Sequence, residues 1–320
     1  MKVKVWIQAM RLRTLPLAVS GILAGTFVAD LLSHTHTGIL VYALLTAVLL
    51  QILSNLANDY GDFIKGTDNE NRVGNMRSMQ SGAINPRQMK AAIVLFSLLA
   101  LACGIRLLLL STEGRLTLPF IAFLILGLAA IAAAINYTVG KKPYGYRALG
   151  DVFVFIFFGP VAVVGTFMLH NSFVFVPHEH YPLAFASLVT GALSTAVLNT
   201  NNIRDIDNDR ASSKITLVVK YGITWARRYH AFLIVTACIS AVALLLTTGI
   251  HGLSWISMAA FIPAFSQLRT VWLTEPSSAY NALLKKLSVA TLLWVILLIV
   301  ASVLELVLQV YEFAGQFYRQ

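Results

Sequence analysis

Nine stretches of this 320-residue chain stay apolar for about the 20 residues that a helix needs to cross a hydrocarbon core. They are 15–33, 39–57, 89–110, 116–136, 152–169, 182–200, 229–248, 253–271 and 287–311. No soluble fold can hide so much apolar surface. Hydrophobic residues make up 58% of the chain and charged residues 12%, where soluble domains run at about 45–50% and about 25%. The expected fold class is all-α: a polytopic membrane protein with nine transmembrane helices, forming one domain over 1–320. Disorder is excluded by the apolar content. A disulfide scaffold is excluded by the presence of only Cys103 and Cys238, both inside apolar runs. The first run is span-length with further spans behind it, unlike a cleaved signal.

Nine crossings put the termini on opposite faces. With the N-terminus in the cytoplasm, nearly every Lys and Arg falls in a cytoplasmic segment; the exceptions are Arg115, Arg319 and Arg106 near an outer span end. That asymmetry sets the expected orientation. It assigns the formal charge of +10 to one membrane face, beside anionic lipids or an anionic substrate, and not to nucleic acid.

The two longest polar interruptions, 58–88 and 201–228, follow the second and sixth spans on that face. On a helix, Asn55, Asp59 and Asp62 share one side, with Asn58 at its edge. Asn202, Asp205 and Asp209 share a side by similar spacing; Asp207 falls opposite and is expected to be no ligand. Carboxylates with amides are hard oxygen donors of the kind that suit Mg²⁺ held jointly with substrate phosphates. Lys65, Arg72, Arg77, Lys141, Lys142, Arg204, Arg210 and Lys214 lie nearby in sequence. Acid and base together suit a metal–diphosphate site. Solvated loops with capped helix ends are the plainer alternative, and acids at a span end are costly unless hydrated, paired or metal-bound. A cation-coupled transporter is a third reading, though its acids usually sit near the midplane. The outer-face histidines, His178-Glu-His180 among them, read as solvated loop. Glu305 reads as an interhelical hydrogen-bonding group. Gly21, Gly25, Gly159 and Gly165 fit close helix packing or room for an apolar ligand.

Asn58-Asp59-x-x-Asp62 with Asp68, together with Asp205-x-x-x-Asp209, resembles the paired aspartate motifs of the UbiA superfamily of intramembrane prenyltransferases, and Tyr137-x-x-x-Lys141 is similar to its third recurring element. The segments 6–16, 55–77 and 201–222, with Leu283-Leu-Lys-Lys286, resemble the branch that prenylates 1,4-dihydroxy-2-naphthoate in menaquinone synthesis. One departure is Asn75, which follows Gly74 where that branch usually has proline.

The resemblance implies Mg²⁺-dependent transfer of a polyprenyl chain from its diphosphate to 1,4-dihydroxy-2-naphthoate, releasing diphosphate and CO₂ and giving demethylmenaquinone. It implies a bacterial cytoplasmic (inner) membrane setting with the active site facing the cytoplasm. Asp59, Asp62, Asp205 and Asp209 would be catalytic. They would hold two Mg²⁺ ions bridged by the diphosphate, with Asn55, Asn58, Asp68 and Asn202. Lys141, Arg72, Arg77, Lys65, Lys214, Arg11, Tyr137, Tyr144 and Tyr146 would contact the diphosphate end. Phe153, Phe155, Phe157 and Phe158 fit helix packing or shielding of an allylic cation. The apolar chain would follow a groove or lateral opening between helices. Within the superfamily, hydroxybenzoate, homogentisate, haem or a lipid glycerol are the alternative acceptors.

Overall fold

The structure, a computed structural model, describes residues 2–32, 34–70, 73–74, 76–173, 181–249 and 252–317, with side chains omitted for Lys2 and 312–317. Arg72, Asn75, His178 and His180 therefore lie outside the described residues. Thirteen α-helices follow in order: α1 (Lys2–Met10), α2 (Leu15–Leu32), α3 (Thr37–Ile64), α4 (Pro86–Ser111), α5 (Leu118–Asn136), α6 (Gly150–Ile156), α7 (Ala162–His170), α8 (Tyr181–Arg204), α9 (Ile206–Ala211), α10 (Leu217–Tyr221), α11 (Ile223–Thr248), α12 (Phe261–Leu273) and α13 (Tyr280–Phe317). Among the described residues the one departure towards β structure is an isolated parallel bridge between Arg147 and Ile215.

Among the described residues, eight helices are long and apolar enough to cross a membrane. They correspond to eight of the nine expected runs. The exception, 253–271, is helical but mixed: it winds as a 3₁₀ helix, Gly252–Ala260, before becoming α12, which leaves the expected count of nine unconfirmed. The cause is local. A 3₁₀ helix stacks every third side chain, and Ser254, Ser257 and Ala260 are all buried small residues. That stripe lets the segment lie close along α13. Ser254 hydrogen-bonds Ser302 at 3.0 Å and donates to Glu305 at 3.3 Å, so Glu305 does serve an interhelical contact. Pro263, which lacks an N–H, marks the start of the α-helical part.

The crossing 152–169 is also interrupted. Phe157–Val161, around Pro160, forms a π-helical turn between α6 and α7. Its Gly159 lies so close to α8 that a Cβ would stand 2.6 Å from the Ser187 carbonyl oxygen. Gly25 similarly meets the Val163 carbonyl oxygen at 2.4 Å, and Gly21 the Ala162 Cβ at 2.6 Å. These three glycines are packing positions. Gly165 is different: its Cβ would meet only Phe123, at 3.9 Å.

α8 is the central post, packed by α2, α6, α11 and α13. Its small and hydroxylated residues permit that approach. The hydroxyls of Thr190, Thr195 and Thr200 satisfy themselves on carbonyls four residues back, at 3.1, 2.8 and 2.8 Å. α5 sits at the rim. It packs on α3 and α4 and only thinly against α6–α7. At the opposite end from the acidic loops, Ile22, Ile39, Ala43, Leu107, Leu108, Phe120 and Leu169 form one apolar cluster.

Candidate active site

Both acidic motifs end up at the same end of the bundle, carried by the last turns of α3 and the α8–α9 junction. α3 continues unbroken to Ile64, so Asn55, Asp59 and Asp62 do share a face, and all three are buried. The second motif is not one helix. The chain breaks at Asp205, whose φ of −99° and ψ of 10° separate α8 from α9. The break is shallow: Asp205 N–H still reaches Asn201 and Asp209 N–H still reaches Asp205. Asn202, Asp205 and Asp209 therefore stay together, joined by Asn208 from the turned segment. Asp207 faces solvent beside Arg210, at 3.6 Å.

The loops that carry the acids hold one another. Tyr146 donates to Asp62 at 2.8 Å and its hydroxyl meets Thr67 Oγ1 at 2.6 Å. Asn208 Nδ2 donates to the Thr67 carbonyl at 2.8 Å. Ala148 N–H donates to the Ile215 carbonyl at 2.7 Å. Segments following α3, α5 and α8 thus form one clasp. Gly61 makes the first two meet, because a Cβ there would lie 2.4 Å from Thr138 Oγ1.

The acids are matched to cations. Asp59 pairs with Arg11 and Arg77, and Arg77 Nε also lies 3.6 Å from Asp68. Arg11 can reach inward because its left-handed backbone, φ 49°, ends α1 and turns the chain into α2. Lys214 Nζ stands 3.7 Å from both Asp62 and Asp209, so the two motifs meet across one ammonium group. Burial alone would push Lys214 down, but Asp209 and Asp62 hold it well above the ordinary lysine value. Tyr146 is pushed up, by burial first and by the Asp62 charge second. Arg204 is fully buried behind the site, donating to Asp205 at 2.8 Å, Asn201 at 2.8 Å and Asn281 at 2.7 Å. It anchors Asp205 to the start of α13.

A cavity of about 400 Å³ opens among these groups. Its polar end is lined by Arg11, Arg13, Asn55, Asn58, Asp62, Asp68, Arg77, Asn202, Asp205, Asn208, Asp209 and Lys214. Of the other expected residues, Tyr137 and Tyr144 also line it, Asp59 sits behind Arg11 and Arg77, and Tyr146 stands behind Asp62. Lys65 is exposed, donating to the Gly140 carbonyl at 3.1 Å. Lys141 is exposed and not on the cavity wall. Arg72 is outside the described residues. Asn208 is a lining residue that the helix-face argument missed, although its position three residues after Asp205 was a usable signal.

Beyond the polar end the wall is aromatic, then aliphatic. Tyr137 meets Tyr144 edge-on at 5.2 Å, Tyr144 stacks on Phe153 at 4.0 Å, and Phe153 stacks towards Phe157 at 6.3 Å. Phe153, Phe157 and Phe158 face the cavity, whereas Phe155 lies against Gly191 of α8. Further in come Leu17, Ile22, Ala43, Ala47, Ala100, Gly104, Leu107, Phe123, Gly127 and Gly165.

The acids and amides are hard oxygen donors suited to Mg²⁺, and Asn208 Oδ1 is buried with no hydrogen-bond donor. As arranged, among the described residues, no three Asp, Glu, His or Cys side chains converge enough to hold a metal by themselves. The carboxylates are engaged with Arg and Lys instead. A phosphate-bearing ligand would draw those cations to its own oxygens.

Residues 18–294 match the family described as UbiA prenyltransferase. A relative in Escherichia coli K12 named 1,4-dihydroxy-2-naphthoate octaprenyltransferase is 41% identical over 84% of this chain and 85% of its own. A Haemophilus influenzae relative of the same name is 36% identical over 91% and 93%. Among solved structures, an apo UbiA homolog from Aeropyrum pernix K1 superposes with a TM-score of 0.69 at 15% identity, covering 92% of this chain and 99% of that one. A homolog from Archaeoglobus fulgidus, bound to GPP and Mg²⁺, gives 0.59 at 16% identity, covering 92% and 99%. At these identities the two structures speak for the shared fold.

Proposed function

The chain belongs to the UbiA prenyltransferase family, and on that footing we propose that it transfers a polyprenyl chain from its diphosphate to 1,4-dihydroxy-2-naphthoate. Diphosphate and CO₂ are released and the quinol form of demethylmenaquinone is formed. The observation that carries this reading is the single cavity that joins a paired acid–base end to an aromatic and then aliphatic bore. That is the shape of a molecule with a polyanionic head and a long apolar tail.

Breaking the allylic C–O bond leaves its electron pair on the diphosphate. Arg11, Arg77 and Lys214 are buried or nearly so, already oriented, and able to stabilise that charge where it grows. Two Mg²⁺ ions, held by Asn55, Asn58, Asp59, Asp62 and Asp68 on one side and by Asn202, Asp205 and Asp209 on the other, would neutralise the phosphate oxygens. The electron-poor carbon then lies against Tyr137, Tyr144, Phe153 and Phe157, whose ring faces stabilise positive charge and exclude water. The carboxylate-bearing ring carbon of the naphthoate forms the new C–C bond. Its carboxylate departs as CO₂, and the bonding pair returns to the ring. Charge balances without a proton.

The acid–base end is read as cytoplasmic and the membrane as a bacterial inner membrane. Lys65, Lys90, Lys141, Lys142, Arg147 and Lys286 cluster at that end, in agreement with the positive-inside tendency. The test is turnover on purified protein in nanodiscs with 1,4-dihydroxy-2-naphthoate, a polyprenyl diphosphate and Mg²⁺, with an EDTA control and mass spectrometry of the lipid. A prenylated, decarboxylated product that disappears with EDTA is expected. Diphosphate release without that product would point to another acceptor, and transport of either substrate without consumption would overturn the reading.

A further inference from the structure

Each buried aspartate of the two acidic motifs has a cation against it. Asp59 has Arg11 and Arg77, Asp62 and Asp209 share Lys214, Asp68 lies beside Arg77, and Asp205 has Arg204. Asp151 is built differently. It stands in the first turn of α6 and is only 4% exposed. Its Oδ1 is buried without a hydrogen-bond donor, and among the described residues no lysine, arginine or histidine pairs with it. A carboxylate taken out of water without a partner is costly, and a helix N-terminus offsets only part of that.

What lies beside Asp151 is the aromatic wall. The preceding residue, Gly150, packs on Tyr137, whose hydroxyl oxygen stands 3.0 Å from where a Cβ would be. Burial pushes the Tyr137 hydroxyl up; Lys214 opposes this, and Asp151 leads the carboxylates that add to it, ahead of Asp62 and Asp209. Tyr229 of α11 lies within reach of the same carboxylate but is not on the cavity wall, whereas Tyr137 is.

From this placement we propose that Asp151 is a positioning residue for bond breaking, and that the positive charge it answers is the allylic cation formed against Tyr137. When the allylic C–O bond breaks, its electron pair leaves with the diphosphate and the carbon becomes positive. Arg11, Arg77 and Lys214 answer the first charge. Asp151 answers the second: it draws the Tyr137 hydroxyl dipole towards itself and leaves the ring face richer in electrons towards the carbon. In a dry interior that influence is stronger than it would be in water. This rests on the transferase reading above and adds to it a residue outside both acidic motifs.

The experiment uses the intact protein in nanodiscs with Mg²⁺, naphthoate and either octaprenyl diphosphate or its 2-fluoro analogue, whose fluorine destabilises the allylic cation with little change of size. Single-turnover rate, diphosphate affinity and unfolding midpoint are measured for wild type, Asp151→Asn, Asp151→Glu and Tyr137→Phe. Asp151→Asn keeps the shape and removes the charge; its rate is expected to fall about 10-fold or more, with affinity within about twofold of wild type. The fluorinated analogue is expected to lose proportionately more in this variant than in wild type. Asp151→Glu restores the charge and is expected to recover most of the rate. Tyr137→Phe is expected to lose rate at unchanged affinity in the same way, which decides the matter even if Asp151→Asn does not fold. An unchanged rate in either Asp151→Asn or Tyr137→Phe would overturn the proposal. So would a loss that leaves the fluorine sensitivity as in wild type and comes with weaker binding and a lower midpoint, since Asp151 would then serve the helix end alone. Wild type that consumes neither diphosphate would overturn the transferase reading, and this proposal with it.

Discussion

At the scale of single residues, charge matching is the organising fact. Asp59 is gripped by two guanidinium groups and Asp205 by a third, while Asp207, two positions on, looks out at solvent. Replacing Asp59 or Asp205 by Ala is expected to reduce transfer by about 100-fold or more, since each removes charge stabilisation at the reacting end. Asp207→Ala is expected to retain activity within about twofold. Initial rates under saturating Mg²⁺ check this, with Asp59→Asn to separate lost charge from lost packing. Similar losses at all three positions would sink the assignment. The acids were legible in the sequence because i, i+3 and i+4 neighbours share a helix face whatever the fold; Arg77 and Lys214 were legible as cations close by in sequence, and Arg11 through the family resemblance. The pairing was not legible. Nothing local says that Lys214 would stand between Asp62 and Asp209, since that contact spans two loops more than a hundred residues apart. Nor could spacing reveal that Lys141 points away, because the turn after α5 is set by Tyr137 packing on Gly145 and Gly150.

At the scale of elements, apolar run length located the crossings, and small residues decided how closely they meet. Gly159 of the π turn has no room for a Cβ against α8. Gly159→Ala is expected to destabilise the bundle by about 1–3 kcal/mol through overpacking, seen as a lower unfolding midpoint in detergent. Gly165→Ala is the control that should leave the midpoint in place. Four glycines were equally suggestive as packing or as space in the sequence; only the neighbours' positions divide them into three packing sites and one on the cavity. The eighth apolar run reads as an ordinary helix from hydropathy, which is blind to its three-residue stripe of Ser254, Ser257 and Ala260. Likewise the break at Asp205 has no glycine or proline to announce it.

At the scale of the whole molecule, one end concentrates acid, base and surface lysine, and the other is an apolar plug. If the polar end faces the cytoplasm, a cysteine placed at Lys142 should react with an impermeant maleimide in inverted membrane vesicles and not in intact cells. A cysteine at Arg115 should do the reverse; the opposite pattern would invert the orientation. The π turn carries a consequence for how such a chain can change length. An α-helix advances about 100° per residue, and a π turn is a helix that has absorbed one residue more than its phase requires. Within Gly150–His170, the segment 157–161 is therefore where a single residue can be deleted while Phe153 and Gly165 keep their bearings. The same deletion elsewhere between Phe153 and Gly165 would rotate one against the other by about 100°. Relatives whose crossing is continuous α-helix are expected to be one residue shorter at this turn, a length difference that an alignment of solved structures would reveal.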